Sequence, residues 1–432
     1  MKCLDTRGGP SVALSEAIAS GLAPSGGLYV PASMPAPDRD RLAAADTLAT
    51  VARTALHGFF ADDPLADALP AICNAALSFE APLRSLPQAN TQVLELFHGP
   101  TAAFKDFGAR FLAACLARIR DPAETTTILV ATSGDTGAAV AAAFHRQPGV
   151  RVVILYPDGR VAARQAHQLG CFGDNIHCYR VAGNFDDCQR LVKSALHDQP
   201  LRQCLRLSSA NSISLGRLLP QLSYYAWASL RHQRAGGRPL NLVIPTGNLG
   251  NALAAVMARR LGFPLERIVF ATNANTVLAD YFEGGDYLPQ ESIATLANAM
   301  DVGAPSNFER LRWWYEDDLH LRESFDAQAV SDQEISDVIA AGEQQYETIW
   351  CPHTATAVRV LERLRAQGAD GDWAIVATAH PAKFETVVEP LIGHDVSVPP
   401  ALQAMLERPS HSEPLAADEQ RFRDELLRLA AA

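Results

Sequence analysis

Short runs rich in β-branched residues recur at 127–131, 152–156, 241–244, 268–272 and 374–378, separated by segments whose apolar residues repeat at helical spacing. The helical segments fall at 107–119, 136–144, 185–196, 215–230, 249–261 and 354–364. Each run is closed within a few residues by Gly, Pro, Asn or Ser, which favour turn geometry or withhold a backbone N–H. Strands joined through helices lie parallel, and a parallel sheet is covered by helices on both faces. The pattern predicts an α/β chain with two doubly wound subdomains around a central cleft.

Residues 1–90 read differently, being rich in Ala, Pro and Leu with a turn at Pro24-Ser25-Gly26-Gly27, and are expected to form a mainly helical N-terminal cap. Residues 91–430 then form the larger domain of two α/β subdomains, the smaller spanning roughly 125–215. The stretch from Pro399 onward mixes Pro, Ser and charged residues, and a helix over 415–429, just after Pro414, is expected to pack on the surface. A 432-residue chain that is 48% hydrophobic and 20% charged has the apolar surface for such a core.

The net charge of -11 provides no basic field for a phosphate backbone, so nucleic acid is not expected as a partner. No stretch has the length and apolarity of a membrane span or a signal peptide, which predicts a cytoplasmic protein without a membrane partner. Eight cysteines are spread without paired spacing, and the neighbourhood of His167, Cys171, His177 and Cys178 fits no common ligand pattern; reduced thiols and no metal are expected.

Lysine occurs only at Lys2, Lys105, Lys193 and Lys383, which leaves amine chemistry few homes. Lys105 lies in His98-Gly99-Pro100-Thr101-Ala102-Ala103-Phe104-Lys105-Asp106-Phe107-Gly108, between an expected strand at 93–97 and the helix at 107–119. At a helix start and among apolar neighbours its charged form is disfavoured, and a neutral amine can attack an aldehyde. Lys383 also stands at a helix start and is its one rival, whereas Lys193 falls mid-helix on a polar face.

Three strand ends carry donors. Thr246-Gly247-Asn248-Leu249-Gly250-Asn251 joins a strand to a helix and suits a phosphate, without matching a dinucleotide or triphosphate motif. Ala131-Thr132-Ser133-Gly134-Asp135-Thr136-Gly137 offers hydroxyls and N–H groups to a carboxylate or second phosphate. Thr378, before Ala379-His380-Pro381-Ala382-Lys383, places a hydroxyl where it can meet the ring nitrogen of a flat cofactor.

With Thr6-Arg7-Gly8-Gly9, Ser25-Gly26-Gly27-Leu28-Tyr29-Val30-Pro31, Gly183-Asn184-Phe185-Asp186 and Asn211-Ser212-Ile213-Ser214, these segments in this order resemble the threonine synthases. That family lies within the tryptophan-synthase-β-like, fold type II pyridoxal-phosphate enzymes. The resemblance covers most of the chain; Ala102 and Ala103 stand where the family has a bulkier residue. It implies a carbon–oxygen lyase holding pyridoxal 5'-phosphate as a Schiff base on Lys105. Gly247, Asn248, Leu249, Gly250 and Asn251 would hold the cofactor phosphate, Thr378 would face the pyridine nitrogen, and Asp135 would lie near the phenolic oxygen. Ser133, Thr136, Asn184, Ser212 and Arg217 would bind the substrate. The implied reaction takes the small molecule O-phospho-L-homoserine and water to L-threonine and phosphate by β,γ-replacement, in a monomer or homodimer. A phospholyase yielding 2-oxobutyrate, a serine/threonine dehydratase and a catalytically silent binding protein are the alternative readings of these residues.

Overall fold

In the computed structural model, which describes every residue except Pro122, Ser212, Glu316 and Ala432, the α/β alternation resolves into two parallel sheets with a cleft between them. The larger sheet runs in the order Asp326–Ala329, Leu265–Thr272, Leu240–Pro245, Asp372–Ala377, Thr91–Glu95, Leu83–Ser85. All its pairings are parallel except the last, where Leu83–Ser85 runs antiparallel to Thr91–Glu95. Its central strand Leu240–Pro245 is buried at every position, as an apolar run covered on both faces must be. The smaller sheet is parallel throughout, in the order Glu413–Ala416, Ile176–Ala182, Val150–Pro157, Thr126–Ala131, Ser208–Ser209.

The strand at 93–97 is shifted: hydrogen bonding to Asp372–Ala377 fixes it at Thr91–Glu95 and releases Phe97 and His98 to begin the turn toward Lys105. The helix expected over 215–230 is broken, because Pro220 cannot donate a helical N–H. It becomes Leu215–Leu218, a 3-10 turn Leu219–Gln221 and the helix Leu222–Arg234. The helix expected over 249–261 starts one residue later, at Gly250–Arg260, since Leu249 adopts a left-handed φ of 59°.

The C-terminal helix expected over 415–429 begins later, after a short strand. Glu413–Ala416 is a strand that extends the smaller sheet, register-paired with Tyr179 to Ala182, and the helix is Glu419–Ala431. That helix packs on the surface through one face: Phe422, Leu426 and Leu429 are buried in one cluster with Leu129, Leu155, Val181 and Leu191, while Gln420, Arg421, Asp424 and Arg428 stay exposed. The N-terminal region adds a small antiparallel sheet, Val12–Ala13, Lys2–Asp5 and Tyr29–Pro31, to its helices, of which Leu48–Phe60 is the longest. Among the described residues no helix is long and apolar enough to cross a membrane.

Candidate active site

Parallel strands end in loops and helix N-termini on one side, and there α/β folds hold their ligands. Here both sheets open at those ends onto one cavity of about 720 Å³. Lys105, Ser133, Asp135, Thr136, Arg217, Thr378 and the five residues Gly247, Asn248, Leu249, Gly250 and Asn251 all lie on its wall.

Lys105 begins the helix Lys105–Ile119. The approach to it is tied down at both ends. Phe104 N–H donates to the Thr378 carbonyl at 2.8 Å, and His380 N–H donates to Ala102 at 3.0 Å. Ala102 takes a left-handed φ of 54°, where its small side chain limits the strain. Asp106 closes the turn by accepting both the N–H and the hydroxyl of Thr101 at 2.8 Å. The Lys105 ammonium sits 4.4 Å from the centroid of the Phe104 ring. Burial first, then the nearby charges of Arg217 and Lys383, against the pull of Asp135, bring its pKa down to about 7. At neutral pH a large share of this amine is therefore uncharged and nucleophilic.

Lys383 cannot play that part. It is wholly buried, with Nζ 2.9 Å from Asp135 Oδ1 and donating to the Thr101 carbonyl at 2.7 Å. Gln165 Nε2 also donates to Asp135 Oδ1 at 2.9 Å. Burial alone would raise the Asp135 carboxyl; Lys383 and His353 instead hold it below the usual carboxylate range.

The turn after Leu240–Pro245 is shaped by contact. A Cβ on Gly247 would stand 2.8 Å from Met300 Cα, so a side chain there would push against backbone. Asn248 Oδ1 accepts Ser306 N–H at 2.5 Å, and its carbonyl accepts Asn307 Nδ2 at 2.9 Å. The first turn of Gly250–Arg260 presents backbone donors to an anion. Asn251 Oδ1 accepts the hydroxyls of Tyr224 and Tyr225 at 2.5 and 2.8 Å, which leaves its buried Nδ2 as a donor without a protein partner among the described residues.

Arg217 is buried, donates through Nη1 to the Ala210 carbonyl at 2.6 Å, and has no partner for Nε among the described residues. Asn184 is committed differently. It is the N-cap of Phe185–His197, its Oδ1 accepting Asp187 N–H at 3.0 Å, and Phe185, Asp186, Gln189 and Lys193 of that helix reach the cavity in its stead. Ser212 lies outside the described residues. His353, Gln165 and the turn Asn298–Met300 carry no local signal in the sequence, because single polar residues in mixed helices and a loop without periodicity point nowhere on their own.

The chain matches the family model of pyridoxal-phosphate dependent enzymes over residues 80–381, that of the threonine synthase N terminus over 2–77 and that of the threonine synthase C-terminal region over 354–425. It is 39% identical to the threonine synthase of Serratia marcescens over 425 residues, 97% of each chain, and 37% identical to that of Escherichia coli over 410 residues, 94% of each. The crystal structure of the Escherichia coli threonine synthase superposes with a TM-score of 0.92 at 35% identity, covering 99% of this chain and 100% of that one. The pyridoxal-phosphate-bound threonine synthase of Brucella melitensis superposes at 0.90 with 32% identity over 100% of both.

Proposed function

The chain belongs to the threonine synthase family of pyridoxal-phosphate enzymes, and from that we propose that it converts O-phospho-L-homoserine and water to L-threonine and phosphate, with Lys105 as tether and proton carrier. The single observation that carries the reading is a half-buried amine, its pKa lowered to about 7, on the same wall as a loop suited to a phosphate.

The residues present fit the cofactor. Lys105 provides the amine, the cradle at Gly247 has room for backbone only, the orphaned Asn251 Nδ2 stands ready for a phosphate oxygen, and Thr378 lines the cavity with a hydroxyl. When bound, pyridoxal phosphate supplies the electron sink that makes the substrate's α and β protons acidic. Lys105 is neutral often enough at pH 7 to take a proton from carbon and return it later. Arg217 is our candidate for the substrate phosphate, with Ser212 five residues before it in sequence; leaving-group charge that develops there meets a desolvated guanidinium. Ser133 and Thr136, flanking the start of Asp135–Phe144, are candidates for the substrate carboxylate. Asn184 acts by capping the helix that borders the cavity, and Asp135, on the cavity wall, would face the phenolic side of the bound ring. We further propose a cytoplasmic enzyme, monomeric or homodimeric, without nucleic-acid or membrane partners.

The purified protein, incubated with the cofactor and O-phospho-L-homoserine, is expected to release threonine and phosphate in equal amounts. Borohydride reduction followed by peptide mapping is expected to label Lys105. Formation of 2-oxobutyrate in place of threonine, or label on another lysine, overturns the reading.

A further inference from the structure

Three buried donors on the cavity wall have no protein partner among the described residues: Asn251 Nδ2, Arg217 Nε and His353 Nδ1. The first two are taken up by the two phosphates of the proposed reaction. His353 has no assigned part. Buried polar groups are almost always hydrogen-bonded, and an unmade donor at a cavity wall marks a place where a ligand completes the set.

The protonation of this ring follows from its contacts. His353 is the second residue of Pro352–Ala366 and only 3% exposed, and its Nε2 accepts the backbone N–H of Ala299 at 3.0 Å. A backbone N–H can only donate, so Nε2 is bare and the neutral ring carries its hydrogen on Nδ1. The ring is held edge-on to Phe384 with centroids 4.9 Å apart, which limits its rotation. The charged groups facing it come from three elements: Asp135 from Asp135–Phe144, Lys105 from Lys105–Ile119, and Lys383 from the turn Pro381–Phe384. Burial pushes the imidazole down to about 4, with Asp135 opposing and the two lysines assisting, so the ring is neutral at physiological pH.

Asp135 leaves a need that this donor meets. Its carboxylate, ionised and already holding Lys383 and Gln165 at Oδ1, accepts hydrogen bonds and donates none. A phenolic oxygen that carries negative charge needs a donor. Lys383 stands behind Asp135 and does not line the cavity. We propose that His353 is a cofactor-binding residue whose Nδ1–H donates to the phenolic oxygen of the pyridoxal ring, on the side where Asp135 stands. This rests on the reading that Lys105 tethers the cofactor.

The donor stabilises negative charge on that oxygen and so weakens its hold on a proton at the adjacent Lys105 nitrogen. Its loss makes the oxygen more basic and retains that proton to higher pH. The test is a pH titration of the visible absorption band of the holoenzyme in His353→Phe and His353→Gln. The phenylalanine keeps a ring against Phe384 without donor or acceptor; the glutamine restores both. The midpoint is expected to rise by about one pH unit, a tenfold change in proton affinity, in His353→Phe and to stay within about threefold of the parent in His353→Gln. An unmoved midpoint in folded His353→Phe, or an equal shift in both variants, overturns the proposal and leaves the ring as an anchor for Ala299. A His353→Phe protein that does not fold is replaced by the parent labelled with ¹⁵N-histidine. Cofactor addition is then expected to move the buried Nδ1–H proton resonance downfield, and an unchanged resonance overturns the proposal. A parent that never acquires the visible band sinks the Lys105 tether itself, whereas a coloured parent with unmoved variants sinks only the part given to His353.

Discussion

Asp135 Oδ1 stands 2.9 Å from Lys383 Nζ, and both side chains are buried. Removing one partner of such a pair strands a charge in a low dielectric, which costs about 3–5 kcal/mol. Lys383→Met is expected to lower the urea midpoint accordingly, and Asp135→Asn combined with Lys383→Met to recover most of the loss, because no lone charge remains. The native pair also sets a pH dependence. With the Asp135 carboxyl held below its ordinary range, its contribution is present above that range and is lost as pH falls through the lowered value.

Lys105 shifts stability with pH in the same direction, but as a penalty that is relieved at high pH. Its pKa is lowered from 10.5 to about 7, so between those values the unfolded chain binds a proton that the folded chain does not, and stability rises with pH across the window. In the apoprotein, Lys105→Met is expected to be more stable than the parent at pH 7 by about 1–3 kcal/mol, after allowance for partial solvent screening, and to lose that advantage toward pH 10. Urea unfolding at the two pH values reads the difference; equal gaps would mean the amine is solvated.

A methyl group at position 247 has nowhere to go, with Met300 Cα 2.8 Å away. Gly247→Ala is expected to displace the turn that leads into Gly250–Arg260 and to weaken cofactor binding by more than about tenfold, roughly 1.4 kcal/mol, while far-ultraviolet dichroism is unchanged. Equilibrium dialysis of the apoprotein against pyridoxal phosphate measures it. Retained affinity would move the phosphate to another part of the cavity.

Thr378 ends the wall with a hydroxyl, which leaves a ring nitrogen beside it unforced toward protonation. A carboxylate there would favour the protonated ring and a stronger electron sink. Thr378→Asp is expected to raise the yield of keto acid relative to threonine, followed by product analysis. An unchanged ratio removes this hydroxyl from the control of side reactions.

The parts of the site read from sequence are those where a strand ends and a helix starts within a few residues. Lys105, the run from Gly247 to Asn251, and Thr378 each sit at such a junction, and a junction points its donors in a direction that local periodicity reveals. What stayed hidden depends on distant partners. The pairing of Lys383 with Asp135 spans the two sheets, and His353 finds its acceptor role only because the turn Asn298–Met300 passes over it. Asn184 shows the reverse case, a promising motif residue whose side chain is consumed by capping its own helix. The C-terminal strand was missed because Glu413–Ala416 has no alternating apolar pattern; its place is dictated by the free edge of Ile176–Ala182.

That edge has a temporal consequence. The strands Thr126–Ala131, Val150–Pro157 and Ile176–Ala182 leave the ribosome early, yet the neighbour that covers their outer edge and the residues Phe422, Leu426 and Leu429 that seal their core are made more than two hundred residues later. The smaller lobe must therefore wait, incomplete, while the larger sheet is synthesised around it, and an exposed β edge in a nascent chain is where intermolecular pairing begins. Only once Glu413–Ala416 and Glu419–Ala431 have been made does the smaller wall of the cleft gain its outer edge and the seal of its core.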